Sequence, residues 1–192
     1  YLPSIISGVA LVMIWKWIYS KDYGLLNYGL SLLGVDGPNW LGDPNWSVLA
    51  IIIASLWGLG GTMLILLAGL QSIPKELYEA ARISGVPPWA QTVYITLPML
   101  SPMLLFTFIT SLISAFQQLT IALLLTKGGP LNSTYFFAMY IYDNAFKFHD
   151  MGYAAAMSWV MFLIILTLSM LVLKYSAAWV HYEGEVKGGG NG

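Results

Sequence analysis

The chain has 192 residues, of which 58% are hydrophobic and only 9% charged, against about a quarter charged in an ordinary soluble domain. So few charges cannot cover a soluble surface, and lipid must be the solvent for much of the chain; a soluble all-helical core is the alternative, but it needs polar helix faces that these apolar runs lack. A net charge of −1 gives no basic footprint for nucleic acid, and the absence of Cys excludes disulfides and thiolate metal sites.

Residues 2–19 form the first apolar run, with Lys16 between Trp15 and Trp17. That lysine can snorkel to an interface while the two indoles anchor it. Farther on, residues 44–74, 83–126 and 151–173 carry no charge at all. Each interval contains a run long enough for the roughly 20 residues a helix needs to cross a bilayer. The spacing predicts spans at 47–70, 99–125 and 153–173, with 2–19 as a fourth, so the fold class is all-α, a polytopic transmembrane helical bundle. Residues 133–149, rich in Tyr and Phe, predict an outer interfacial helix. Glycine-rich residues 183–192 predict a disordered tail beyond a membrane domain of residues 1–182. The chain starts at Tyr1 and reads as cut from something longer.

With four spans, residues 71–98 share a side of the membrane with the C-terminal tail. That side holds Lys75, Arg82, Lys174 and Lys187, against Lys21, Lys127 and Lys147 on the other. The bias toward a cytoplasmic 71–98 loop is slight.

The loop itself is built unlike an ordinary connection. Pro74 suits the first turn of a helix and Gly85 a left-handed stop just after one. Between them Leu77, Ala80, Ala81 and Ser84 share a small-residue face, while Lys75, Glu76, Glu79 and Arg82 supply charge. Pro87 and Pro88 restart the chain as a second short helix ending near Leu97-Pro98. Such a helix–turn–helix can dock a partner, or it can lie as an amphipathic hairpin on lipid headgroups.

Glu79-Ala80-Ala81, then Gly85, Ile95 and Leu97-Pro98 at their spacings, resemble the EAA loop of binding-protein-dependent ABC importer permeases. The segments Gly24-Leu25-Leu26-Asn27, Ala68-Gly69-Leu70-Gln71, Gly128-Gly129-Pro130 and Gly152-Tyr153-Ala154 resemble the carbohydrate branch of that family, which includes maltose and glycerol-phosphate permeases. The resemblance implies the type I (MetI-like) importer permease fold, a bacterial or archaeal cytoplasmic membrane, and a cytoplasmic loop whose first helix couples to an ATPase. It also implies further spans before residue 2. The implied partners are an ABC ATPase dimer, a second permease subunit read as a paralogue, an extracytoplasmic solute-binding protein and membrane lipid. Two departures stand out: Ser84 replaces the family's usual Asp before the loop glycine, and Val86-Pro87 replaces a small pair.

No cofactor or metal site is expected, and the chain holds no Gly-x-x-x-x-Gly-Lys-Ser/Thr phosphate loop, so ATP hydrolysis is expected on another chain. The mechanism implied by the family is alternating access. A solute path needs polar atoms at membrane depth to replace lost water. Thr107, Thr110, Ser111, Ser114, Gln117 and Gln118 recur at three- and four-residue steps, and the second span offers Ser55, Trp57, Gly58, Gly61 and Thr62. Positions 55–61 and 114–118 resemble in location the segments lining the solute site of a maltose-importing member. Small polar residues also serve merely as glue between helices. A rival function is an ion-coupled transporter or channel, which usually keeps carboxylates or His within the membrane; the predicted spans contain neither.

Overall fold

The computed structural model describes residues 5–176 and residue 180; among them the chain is helix, turn and coil with no strand. The expected tail at 183–192 lies outside the described residues. In chain order the helices are α1 (Gly8–Ile18), α2 (Leu25–Leu32), α3 (Pro44–Leu56), α4 (Gly60–Ser72), α5 (Lys75–Ile83), α6 (Pro88–Gln91), α7 (Leu97–Phe116), α8 (Thr120–Leu125), α9 (Phe137–Tyr142) and α10 (Met151–Ser176). A 3₁₀ turn, Trp57–Leu59, joins α3 to α4; π turns over Thr92–Thr96 and Asp143–Lys147 join α6 to α7 and extend α9.

Among the described residues three helical stretches are long and apolar enough to cross a membrane: Pro44–Ser72, Pro88–Phe116 and Met151–Ser176. The run expected at 2–19 is helical over only 11 described residues, Gly8–Ile18. At about 1.5 Å per residue that is roughly half of a bilayer core.

Local chemistry explains where the other boundaries differ from expectation. The second span starts at 44 rather than 47 because Asp43 caps it, its Oδ1 accepting from the Asn45 N–H at 2.9 Å with Pro44 at the first helical position. The helix begun at Pro88 does not end near Leu97-Pro98 but continues into α7. Pro98 would drive its ring into the carbonyl four residues back. The π turn just before it lengthens the local repeat, with the Leu97 N–H reaching Thr92 O instead. Pro102 cannot donate to Pro98 O, and the Ser101 hydroxyl takes that role at 2.6 Å. The span expected at 99–125 is likewise interrupted: α7 stops at Phe116, and α8 starts at Thr120. The interruption lets Ala122 and Leu125 pack into a core with α1.

The chain divides into two compact units, one of residues 1–61 with 113–165 and one of residues 62–112 with 166–192. The core of the first gathers Val12, Trp15 and Tyr19 of the α1 segment, Ala50, Ile51 and Ala54 of α3, Ala122 and Leu125 of α8, and Met139 of α9. Within the same unit, Ser47 at the start of α3 shares a hydrogen bond with Ser133 at 2.8 Å. The interfacial helix expected at 133–149 is confined to 137–147; the chain takes left-handed φ at Lys127, Gly128, Leu131 and Asn132 before it and at His149 after it. Tyr135 donates to Asp143 Oδ2 at 2.7 Å, and Lys147 pairs with the same carboxylate at 3.7 Å. Burial and then that bond push the Tyr135 hydroxyl up to about 12.

The second unit buries Ile73, Ala81, Ala90, Leu100 and Leu105. Gly69 of α4 meets α7 so closely that a Cβ there would overlap Met103 and Leu100. By contrast, α10 leaves large apolar side chains such as Trp159, Phe162, Met170 and Leu173 exposed, as suits a helix facing lipid or another chain. Replacing Ser101 by Ala should strip the Pro98 carbonyl of its partner and cost about 1–3 kcal/mol, whereas Ser101→Thr should restore most of it. Thermal unfolding of the detergent-solubilised protein measures the difference.

Candidate functional site

The 71–98 loop has the geometry its residues require. Helix α5 ends in a paired closure: Gly85 at φ 72°, its N–H on Arg82 O at 3.0 Å, and the Val86 N–H on Ala81 O at 2.9 Å. These are the two bonds of a Schellman stop, and they satisfy carbonyls that α5 would otherwise leave open. A Cβ at Gly85 would meet nothing within 4 Å, so the demand for glycine is purely a matter of backbone dihedral. Ser84 donates to Ala80 O at 2.9 Å, a bond that a carboxylate in its place could not make.

Two side-chain bonds hold the arms of the loop together. Gln91 donates to Val86 O at 2.8 Å, and the hydroxyls of Tyr78 and Thr96 meet at 2.9 Å. The sequence reading passed over Tyr78 and Thr96: no spacing rule connects hydroxyls 18 positions apart across a turn. Ala81 is buried, while Leu77, Ala80 and Ser84 are exposed. The small-residue face is therefore split, with Ala81 packing inward. Glu79 and Arg82 are both exposed and form no ion pair with each other. Around them Ile83 (89% exposed), Trp89 and Tyr94 present apolar surface. Of the remaining signature positions, Ile95 and Pro98 are half-buried and Leu97 is exposed, all within or just after the π turn.

The proposed path residues fall at the two interruptions of the spans. Trp57 and Gly58 occupy the 3₁₀ turn, Ser55 precedes it and Gly61 follows it. Gln117 and Gln118 occupy the opening between α7 and α8, with Ser114 one turn earlier. All seven belong to the first unit, and both interruptions border its core, through Ala54 on one side and Leu119 on the other. No hydrogen bond or ring contact ties Ser55, Trp57, Gly58 or Gly61 to Gln117 or Gln118. Among the described residues the side-chain amides of Gln117 and Gln118 find no hydrogen-bond partner, whereas Ser55 turns back onto Ile52 O at 2.7 Å.

Thr107 and Thr110 also bond carbonyls of their own helix, at 2.9–3.1 Å, which leaves their hydroxyls less free for a solute. In the second unit Thr62, Thr107 and Ser111 line one groove of about 660 Å³ with Leu104 and Phe108. Another cavity, of about 840 Å³, lies in the first unit beside Lys21, Asp22 and Asp36. It contains none of the predicted path residues.

Residues 1–182 match the family model described as binding-protein-dependent transport system inner membrane component. The chain is 40% identical over 189 residues to a probable ABC transporter permease protein, YesP, of Bacillus subtilis, covering 96% of this chain and 61% of that protein. To the lactose transport system permease protein LacF of Rhizobium radiobacter it is 41% identical over 177 residues, 89% of this chain and 59% of the relative. The chain thus spans about three fifths of the length of these relatives. Its fold superimposes on the crystal structure of a bacterial ABC transporter involved in the import of the acidic polysaccharide alginate, with a TM-score of 0.83 and 25% identity, over 93% of this chain and 63% of that one. The chain belongs to the family of binding-protein-dependent transport system inner membrane components, and it is a multi-pass membrane protein of that family.

Proposed function

We propose that this chain is the permease subunit of an ATP-driven importer that carries a neutral sugar or small glycoside across the cytoplasmic membrane by alternating access. The observation that carries the reading is the 71–98 loop: a short helix closed by a left-handed glycine, braced against its second arm, and exposing Glu79, Ala80, Ile83 and Trp89. That surface suits a cleft on an ATPase subunit that supplies the energy, with Glu79 engaging donors there. The ATPase dimer, a second permease and a binding protein that delivers the solute complete the assembly. The lactose permease relative and the alginate importer support a carbohydrate cargo.

Neutrality follows from the path residues. Ser55, Trp57, Gly58, Gly61, Ser114, Gln117 and Gln118 offer amides, hydroxyls, close backbone approach and one exposed indole, but no charge. The runs 44–74, 83–126 and 151–173 contain no carboxylate or imidazole, which counts against ion coupling, and no Lys or Arg to balance a strongly anionic cargo. Trp57 is the natural platform for a sugar ring, and Gln117 and Gln118 supply amides with unspent hydrogen-bonding capacity.

Gly85 tests the coupling role. A β-branched residue at φ 72° is strained by about 1–3 kcal/mol, while Asn tolerates that region and has open space for its side chain. Gly85→Val should abolish uptake and co-purification of the ATPase without lowering membrane insertion, and Gly85→Asn should keep both. Equal transport by the two variants would contradict the docking role.

The path is tested through the absence of native cysteine. Gln118→Cys should react with a membrane-impermeant, charged thiol reagent, and Leu163→Cys on exposed α10 should not. Gln117→Leu with Gln118→Leu should raise the half-saturating sugar concentration about fivefold to 150-fold, for two neutral hydrogen bonds of about 0.5–1.5 kcal/mol each. ATPase co-purification should be unchanged.

A further inference from the structure

Trp57 is 53% exposed and sits in the three-residue 3₁₀ turn between α3 and α4. An indole so placed has several rotamers open to it, and a flat platform for a ring solute is useful only if it holds one. A closed chain of contacts supplies that constraint. The ring of Trp15 on α1 meets Trp57 at 5.6 Å between centroids and 86°, an edge-to-face pair. Trp15 is only 7% exposed and is stacked in turn on Tyr19, at 5.1 Å and 27°. Tyr19, 1% exposed, donates its hydroxyl to Ala50 O at 2.8 Å. Ala50 lies on α3, two turns before Trp57, so the chain of contacts returns to the helix that carries the platform.

We infer that Trp15 is a positioning residue for solute recognition: buried itself, it fixes the orientation of the exposed Trp57 indole and thereby the affinity for a sugar ring. This rests on Trp57 being the platform proposed above. Trp15 touches no solute. A residue that merely filled the core would affect how much protein folds; a residue that aims Trp57 affects how tightly the folded importer holds its cargo. The neighbouring Trp17 provides an internal contrast, since it is 53% exposed and makes no ring contact with Trp57.

The test uses the importer assembled with the permease, ATPase and binding protein encoded beside it. Uptake of radiolabelled lactose, trehalose and maltose is followed against concentration for Trp15→Leu, Trp15→Phe, Trp57→Leu and the Trp15→Leu/Trp57→Leu pair. Trp15→Leu should raise the half-saturating concentration about three- to tenfold, the scale of an aromatic pair's preference, with the maximal rate per folded importer retained. Trp15→Phe, which keeps a ring edge, should stay near the wild type. The double variant should be no worse than Trp57→Leu alone, because Trp15 acts through that side chain.

A second readout needs no solute. In protein labelled with 5-fluorotryptophan, the ¹⁹F line that disappears in Trp57→Phe should be single and sharp, and should broaden or split in Trp15→Leu. A Trp57 line unchanged by Trp15→Leu overturns the inference, as does a loss confined to maximal rate or protein level. Normal uptake by Trp57→Leu, or carriage of none of the three sugars by the wild type, instead overturns the platform reading on which the inference rests.

Discussion

In a bilayer core every backbone N–H and C=O must find its partner inside the protein, and the rest of this structure follows from that demand. It is why the charge-free intervals are helical, and why each departure from regular helix comes with a specific remedy. Pro98 is preceded by a π turn, so that its missing donor and bulky ring fall where the helix has already widened. Pro102 would orphan the Pro98 carbonyl, and Ser101 covers it. Back-bonded hydroxyls at Ser55, Thr107 and Thr110 add acceptor contacts along the same helices. Among the described residues of the first unit, the apolar helices are interrupted at Trp57–Leu59 and between Phe116 and Thr120, and these places hold the amides, the glycines and the exposed indole.

The 71–98 loop, rich in charge, follows a different rule. Outside the apolar core a short helix can end abruptly, because its last carbonyls are closed by the Gly85 turn. The loop then needs internal bracing, which Tyr78, Thr96 and Gln91 provide. Ala81 is buried and Ala80 lies on the exposed side, so the paired alanines serve two surfaces at once.

Composition and charge spacing made the three long helices legible, since apolar runs bounded by charges admit few alternatives in lipid. Gly85 was legible for a different reason: its φ is a local demand that a single residue type meets cheaply. What escaped sequence reasoning was everything decided by a distant partner. The 99–125 run carries no Gly or Pro near 117, yet the helix opens there because Ala122 and Leu125 belong to the α1 core. The helix after Pro88 was expected to end at Leu97-Pro98, but a π turn, which no composition rule signals, carries it onward. Over Gly8–Ile18 hydrophobicity reports burial as readily as it reports a membrane crossing: Trp15 of that helix and the adjoining Tyr19 are core residues of the first unit.

The same ambiguity bears on what the aromatic residues do. In sequence Trp15, Trp17, Tyr19 and Trp57 look alike, and an aromatic belt at the membrane surface accounts for all four. Burial separates them. Trp17 is exposed as a belt residue should be, while Trp15 and Tyr19 are enclosed and tied by ring contacts and a hydroxyl bond to α3. Trp57 alone joins an enclosed edge to an open face at an interruption in a span. An anchor for lipid needs no buried partner to hold its angle, since headgroups accept many orientations. A surface that must present one face to a rigid ring does need one, and the contact with Trp15 is what such a surface requires.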